Sequence, residues 1–170
     1  MSSIVTNKGH SKRAISWYND AKDAFIGIGR TTSWEDEMNP PNPTYDSVFE
    51  EPICYKQIEQ KFYVVPDDTG TIFYRNQHYK IIQENEVVDQ KCRWVFCSCW
   101  LNYDEAPVGV GYRQIGLFTG LKRNPGISIA QYVLLPSQVA SEGDLEVLSN
   151  DTVTYRSESK RERLAVIIEF

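Results

Sequence analysis

Short apolar runs separated by polar turns dominate the hydrophobic pattern of this chain. Phe62–Val65 and Thr71–Tyr74 flank Pro66–Gly70, whose residues favour a turn. The pattern predicts a β-hairpin that continues into Tyr79–Ile82 as a meander. Short strands joined by turns are typical of antiparallel sheets. The predicted fold class is therefore α+β and mainly β, with antiparallel, sandwich-like sheets.

Four later runs extend this prediction. Cys92–Leu101 carries apolar side chains on both faces, which indicates an interior strand. Ile127–Leu135 is apolar but fits a strand or a helix equally well. Leu145–Ser149 and Val153–Arg156 are predicted to pair around Asn150–Asp151. Further extended segments are predicted within Ile53–Val65, at Tyr112–Thr119 and at Leu164–Phe170.

One amphipathic helix is predicted near the start, from an N-cap at Ser11 to about Ala24. Its apolar face would carry Ala14, Trp17, Tyr18, Ala21 and Phe25. Lys12 and Arg13 lie in the first turn, where positive charge opposes the helix dipole, so packing must hold this helix. We interpret Trp17 as a core residue, and the alternative is a partner contact.

The run Phe25–Gly29 predicts a buried strand that passes close to a neighbour, because Gly27 and Gly29 have no Cβ. The strand is expected to end at Arg30. Three prolines then exclude regular structure: Pro40, Pro41 and Pro43. Residues 30–51 are therefore predicted to form an acidic, proline-rich loop or an extended arm.

Length and charge limit the possible functions. A chain of 170 residues with 41% hydrophobic content can bury one core, so we predict a single domain over residues 1–170, with residues 1–10 as a loose arm. Residues 30–51 contain six acids and one arginine, which equals the whole net charge of −5. The simpler interpretation of these acids is a solvated loop, and the alternative is a docking surface. The absence of a basic face argues against nucleic-acid binding.

Nothing in the sequence indicates catalysis, a cofactor or membrane contact. The longest aliphatic run is too short to span a bilayer and no export signal is visible, so synthesis in the cytoplasm is expected. His10 and His78 match no catalytic motif.

Four cysteines are predicted to be buried free thiols: Cys54, Cys92, Cys97 and Cys99. The alternative is a small binding module with zinc held by Cys92, Cys97 and Cys99. A hydrolase would need a cleft with a perturbed carboxylate.

Three stretches carry a resemblance to a known family. The first is the strand ending in Gly29-Arg30, followed by Thr/Ser, a Trp with acidic neighbours and a proline cluster. The second is Gly111–Ile115, and the third is the closing segment Gly143–Phe170. Together they resemble baseplate wedge proteins of contractile-tailed bacteriophages, of the gene-product-eight type. This chain is shorter than the longer members, and it has Asn150–Val153 where an Asn-Arg-x-Pro turn would be expected.

The resemblance implies a structural subunit of the virion tail baseplate that binds other wedge proteins and another copy of itself. It implies work in tail assembly and in the rearrangement triggered by attachment. The expected interface residues are Trp34, Glu35, Asp36, Pro40, Pro41 and Tyr45, and Gly29 and Arg30 form the structural signature. Trp34 could instead be a plug that pins the loop to its own domain. Arg113, with Gln114, is expected to cap a carboxylate or carbonyl within the fold, and the alternative is a subunit contact.

Overall fold

The computed structural model describes residues 2–170. Within them the chain forms one α-helix and twelve β-strands. Their bounds are α1 (Asn7–Asp20), β1 (Phe25–Gly29), β2 (Cys54–Gln57), β3 (Gln60–Pro66), β4 (Ile72–Tyr74), β5 (Gln77–Ile82), β6 (Trp94–Leu101), β7 (Gly111–Thr119), β8 (Lys122–Arg123), β9 (Val133–Leu134), β10 (Val139–Ser141), β11 (Asp144–Tyr155) and β12 (Glu162–Glu169). Neighbouring strands run antiparallel, as β1 does with β2 and β7. The prediction of a mainly β chain with antiparallel sheets and one N-terminal helix is confirmed.

The contacts divide the chain into two compact units. Among the described residues, the first unit contains residues 2–22, 60–98 and 165–170, and the second contains residues 23–59 and 99–164. The prediction of one domain, and of a sandwich-like relation between the sheets, stays a prediction. No helix in residues 2–170 has the length and apolar character needed to cross a membrane.

The first unit contains helix α1 and most of a sheet with the strand order β12-β6-β3-β5-β4. Residues 99–101 of β6 and 162–164 of β12 belong to the second unit. Tyr18 stacks on Tyr63 with 4.2 Å between ring centroids, and its hydroxyl donates to Lys61 O at 2.8 Å. Ser11 and Ala14 are fully buried on the same side of the helix. Strand β6 has a neighbour on each side, so the prediction of an interior strand is confirmed.

The predicted start of the helix was wrong. The helix begins at Asn7 because Thr6 is the N-cap, and its side-chain oxygen accepts the Gly9 N–H at 3.2 Å. Residues 7–10 are therefore helical and not part of a loose arm. The helix also ends at Asp20, before the predicted Ala24, and Lys61 Nζ donates to the carbonyl of the C-cap residue Ala21 at 2.8 Å.

The predicted order of the meander was also wrong. Strand β3 pairs with β5 and β6, whereas β4 pairs with β5 at the end of the sheet. The turn after β3 is attached to β5, because Asp67 N donates to His78 O at 3.0 Å. Gly70 lies so close to Tyr79 that a Cβ would be 2.1 Å from the Tyr79 carbonyl carbon. Strand β5 therefore enters between β3 and β4.

The second unit contains a sheet with the order β11-β7-β1-β2-β9 and a ribbon formed by β10 and β8. Its core is a cluster of five buried side chains: Phe25, Tyr55, Phe118, Leu121 and Leu134. The predicted buried strand is observed as β1, Phe25–Gly29, which ends one residue before the expected Arg30. The ambiguous run Ile127–Leu135 forms a strand only at Val133–Leu134.

The hairpin predicted around Asn150–Asp151 was wrong. Strand β11 is continuous from Asp144 to Tyr155 and pairs with β7 along its length. Two register shifts, at Leu145/Val147 and Asn150/Thr154, absorb residues that would otherwise form a turn. The Asn150 side chain is used for hydrogen bonds to other segments, as described below, and not for closing a hairpin.

Candidate functional site

The segment 30–51, called here the acidic loop, forms neither helix nor strand and belongs to the second unit. Hydrogen bonds tie it to strands β7 and β11, so the structure does not show an extended free arm. Of the two predicted forms, the geometry fits an ordered loop. Its residues divide into an inner set that holds the loop and an outer set that is exposed.

Gly29 and Arg30 close the base of the loop. A Cβ on Gly29 would lie 2.5 Å from Glu50 O and 2.8 Å from Phe49 Cζ, so only glycine allows the end of the loop to return beside its start. Arg30 has φ 54° and its N–H donates to Glu50 O at 2.7 Å. The Arg30 guanidinium also pairs with the Glu50 carboxylate. The signature dipeptide therefore fixes where the loop begins and ends.

Glu51 provides a second closure. Its Oε2 accepts the N–H groups of Thr31 and Thr32 at 2.7 and 2.8 Å. The Thr31 hydroxyl also donates to Oε2, at 2.6 Å, and the Thr32 hydroxyl donates to Oε1 at 2.5 Å. These hydrogen bonds, chiefly from the Thr31 and Thr32 side chains, lower the pKa of Glu51 to about 2. The charged carboxylate is thus stabilised by the loop that it closes.

Trp34 points inward and is only 8% exposed. Its Nε1 donates to Asp151 O on β11 at 3.0 Å. The Arg30 guanidinium carbon lies 3.8 Å from the ring centroid, which is the geometry of a cation–π contact. This arrangement fits a plug that pins the loop to its own unit.

Arg113 on β7 is 6% exposed and binds three groups of the loop. Its Nε donates to Glu37 Oε1 at 2.8 Å, and its terminal nitrogens donate to Thr31 O at 2.6 Å and to Ser33 Oγ at 3.2 Å. Burial would raise the pKa of Glu37, but the hydrogen bonds from Ser33 and Arg113 outweigh it and lower the pKa. Arg113 therefore binds both a carboxylate and a carbonyl of the acidic loop.

Gln114 ties the other half of the loop to the sheet. Its Oε1 accepts the Glu50 N–H at 2.8 Å, and its Nε2 donates to Val48 O at 3.3 Å and to Asn150 Oδ1 at 3.0 Å. Asn150 Nδ2 in turn donates to Pro41 O at 2.8 Å. Sequence reasoning missed Glu37 and Asn150 as partners. Glu37 belongs to the acidic triplet beside Trp34, but nothing in the sequence links it to Arg113.

The outer side of the loop is exposed and partly apolar. Tyr45 is fully exposed, and Met38 and Val48 are 80% and 62% exposed. Around them lie predicted site residues: Glu35, Asp36 and Pro41 are exposed, and Pro40 is half-buried. A shallow depression of about 400 Å³ opens between Pro41, Thr44, Val48 and the Arg30–Trp34 pair. The arrangement offers apolar side chains among negative charges.

The chain matches, over residues 2–170, the family described as "Baseplate wedge 3 tail fiber network component". It belongs to this family. The wedge component is also similar to Virion protein 3 of Enterococcus phage phiEF24C, with 26% identity over 154 residues that cover 86% of this chain and 83% of the relative. The resemblance to baseplate wedge proteins is thereby confirmed. The chain is a baseplate wedge component of a phage tail, in the tail fiber network, and its location is the virion.

The cysteines of the wedge component are all free and buried. In residues 2–170 no three His, Cys, Asp or Glu side chains come together as a metal site, so the structure does not assemble the zinc ligands of the alternative prediction. Burial raises the pKa of the Cys97 thiol to about 12, and it also raises the pKa of Cys99. Inert thiols inside a protein core fit these observations.

Proposed function

We propose that the acidic loop is the surface by which this wedge component docks onto a neighbouring baseplate protein. The observation that carries the proposal is Tyr45, whose side chain is fully exposed on a loop fixed at its base by buried Arg113 and Trp34. Aromatic residues are enriched at protein interfaces. A loop that is already ordered loses little conformational entropy on binding.

The partner surface should carry basic residues and an apolar recess. Glu35, Asp36 and Asp46 are exposed around Tyr45, Met38 and Val48, so complementary charge would steer the encounter and the apolar side chains would supply burial. Pro40 and Pro41 keep the chain between these groups extended. In this proposal Gly29, Arg30, Trp34, Arg113 and Gln114 position the loop, and they do not touch the partner.

The proposed partners are other wedge proteins and a second copy of the chain. Through such contacts the protein would act in tail assembly and would transmit the change of shape that follows host attachment. The protein is proposed to be made in the host cytoplasm and to act without catalysis, cofactor, nucleic acid or membrane. Membership of a structural baseplate family supports this proposal.

The test compares Tyr45→Ala with the matched control Tyr103→Ala, a half-exposed tyrosine on a different loop of the same unit. Each purified variant is mixed with tail proteins encoded beside it, and complex mass is measured by light scattering. We expect Tyr45→Ala to weaken the complex at least tenfold without changing the folded chain, and Tyr103→Ala to leave it intact. Equal binding by both variants would refute the loop as the docking surface.

Trp34→Ala tests whether Trp34 holds the acidic loop in place or contacts the partner directly. Because Trp34 is buried and hydrogen-bonded to β11, we expect truncation to lower the free energy of unfolding of the isolated chain by about 3 kcal/mol. If Trp34→Ala instead left the stability unchanged and abolished binding, Trp34 would be an interface anchor.

A further inference from the structure

The two larger sheets have four outer strands, which are β11 and β9 in one sheet and β4 and β12 in the other. An outer strand presents unpaired N–H and C=O groups on one side, and these groups can pair with another chain. Proteins therefore shorten, cover or charge such edges. These four edges of the two larger sheets differ in how they are protected.

The β9 edge is closed by glutamine side chains. Gln131 Nε2 donates to Val133 O at 2.9 Å, and Gln138 Oε1 accepts the Leu135 N–H at 2.9 Å. The two amides also bind each other at 2.8 Å. They take the places that the peptide groups of an added strand would take. This edge is also only two residues long.

Two other edges are protected in different ways. Strand β11 is long, but Trp34 Nε1 occupies the carbonyl of Asp151, and the Pro41 segment binds the Asn150 side chain. The acidic loop therefore covers part of that edge. Strand β4 spans only Ile72–Tyr74, which is too short to template a stable added strand.

Strand β12 is the exception, because it is eight residues long and pairs only with β6 among the described residues. Phe170 N donates to Arg93 O at 2.9 Å, which places the end of β12 beside the start of β6. Backbone groups of alternate residues point to the same side of a strand. The N–H and C=O groups of Ala165, Ile167 and Glu169 therefore point away from β6, towards the open edge.

The side chains of β12 suit an added apolar strand. Val166 and Ile168 are 1% and 6% exposed, whereas Ala165 and Ile167 are half-buried against the apolar cluster that contains Val64 and Phe96. A further strand would complete the cover of Ala165 and Ile167. Cross-strand apolar pairs of this kind stabilise a sheet.

The charge at the end of the strand indicates what the added segment carries. Arg93 donates from both Nε, at 2.8 Å, and Nη2 to the same oxygen of Glu169, Oε1. No side chain in residues 2–170 donates to the other oxygen, and the Glu169 side chain is 49% exposed. A cation opposite Glu169 would therefore find a free carboxylate oxygen.

We propose that β12 accepts an extended, apolar segment of a neighbouring baseplate protein, which adds to the sheet as a sixth strand and places a Lys or Arg opposite Glu169. Main-chain hydrogen bonds to Ala165, Ile167 and Glu169 supply the affinity, and the alternating side chains supply specificity. The residues of this edge, Arg93 and residues 165–169, are not part of the acidic loop.

Hydrogen exchange tests the proposal on the natural assembly. In the isolated chain, the amides of Ala165 and Ile167 should exchange freely while those of Val166 and Ile168 stay protected by β6. In purified virions, the amides of Ala165 and Ile167 should exchange at least a hundredfold more slowly. Unchanged exchange of these two amides in the virion would overturn the proposal.

A proline variant distinguishes a loss of strand addition at the β12 edge from a loss of folding. Ala165→Pro removes only an outward N–H, a change that edge strands tolerate, so the isolated chain should fold. Phage carrying Ala165→Pro should lose assembled tails, whereas phage carrying the control Ala165→Val should not. Normal assembly with Ala165→Pro would contradict strand addition.

The identity of the occupant is decided by cross-linking. A photoreactive benzoylphenylalanine in place of Ile167 should join the chain to a different baseplate protein when virions are irradiated. An adduct between two copies of this chain would overturn the proposal as stated, because the edge would then be occupied by a second copy. Cross-linking should be unchanged in Tyr45→Ala particles that still assemble.

Discussion

Replacing Arg113 by alanine should detach the acidic loop from β7. The change leaves Glu37, Ser33 and the Thr31 carbonyl without the donors that now lie 2.6 to 3.2 Å away. Removing one partner of a buried ion pair costs about 3–5 kcal/mol, and the lower end applies here because the Glu37 side chain is 34% exposed. We therefore expect a loss of about 3 kcal/mol in the free energy of unfolding.

The assay is urea denaturation followed by circular dichroism, with thermal melting as a check. For a chain of this size, 3 kcal/mol corresponds to a melting temperature lower by about 6–12 °C. The control is Arg13→Ala on the exposed side of α1, which should change stability by less than about 0.5 kcal/mol. In a Glu37→Gln background, Arg113→Ala should cost at least about 1 kcal/mol less, because the two residues are coupled.

A loss below about 1 kcal/mol for Arg113→Ala would refute this reasoning, since exposed surface ion pairs contribute that little. Such a result would mean that the loop is held by its other contacts and that Arg113 is not its main anchor on β7. Equal losses in the two backgrounds would refute the coupling with Glu37, because Arg113 would then act through Thr31 O and Ser33 Oγ.

Two further predictions concern the base of the loop. Gly29→Ala should destabilise the chain by about 2 kcal/mol, because the new Cβ would lie 2.5 Å from Glu50 O, and a stability equal to wild type in urea would show that the loop can move aside. Glu51 has its pKa lowered from 4.5 to about 2, so its contribution is complete above pH 4.5 and is lost as the pH falls towards 2. The stability difference between wild type and Glu51→Gln should therefore be larger at pH 7 than at pH 2.5, and an equal difference at both pH values would contradict the closure by Glu51.

Strands with unbroken apolar runs could be predicted from the sequence with good bounds. β1 and β6 are examples. Both faces of each strand are buried, and a short run that is apolar on both faces fits an interior strand. The helix start was missed although Thr6 is a standard N-cap residue. The Lys and Gly that follow Thr6 weakened the helical pattern, and the cap hydrogen bond alone decided the start.

Long-range pairings were the part that the sequence did not reveal. The β4–β5 order depends on the Gly70–Tyr79 approach, and the continuity of β11 depends on two register shifts. Both are decided by packing between segments and not by local propensity. Arg113 was expected to cap a group within the fold, but its partner Glu37 lies 76 residues away, and a single sequence carries no sign of that pairing.

The way in which the acidic loop is held has a mechanical consequence. Hydrogen bonds attach the loop at three strands. Arg30 and Glu50 close it beside β1, Arg113 and Gln114 bind it from β7, and Trp34 binds β11. A pull on the outer side of the loop is therefore shared among parallel attachments that must yield together. A joint of this kind is stiff under load, so displacement of a neighbour would move the whole second unit and would not simply stretch the loop.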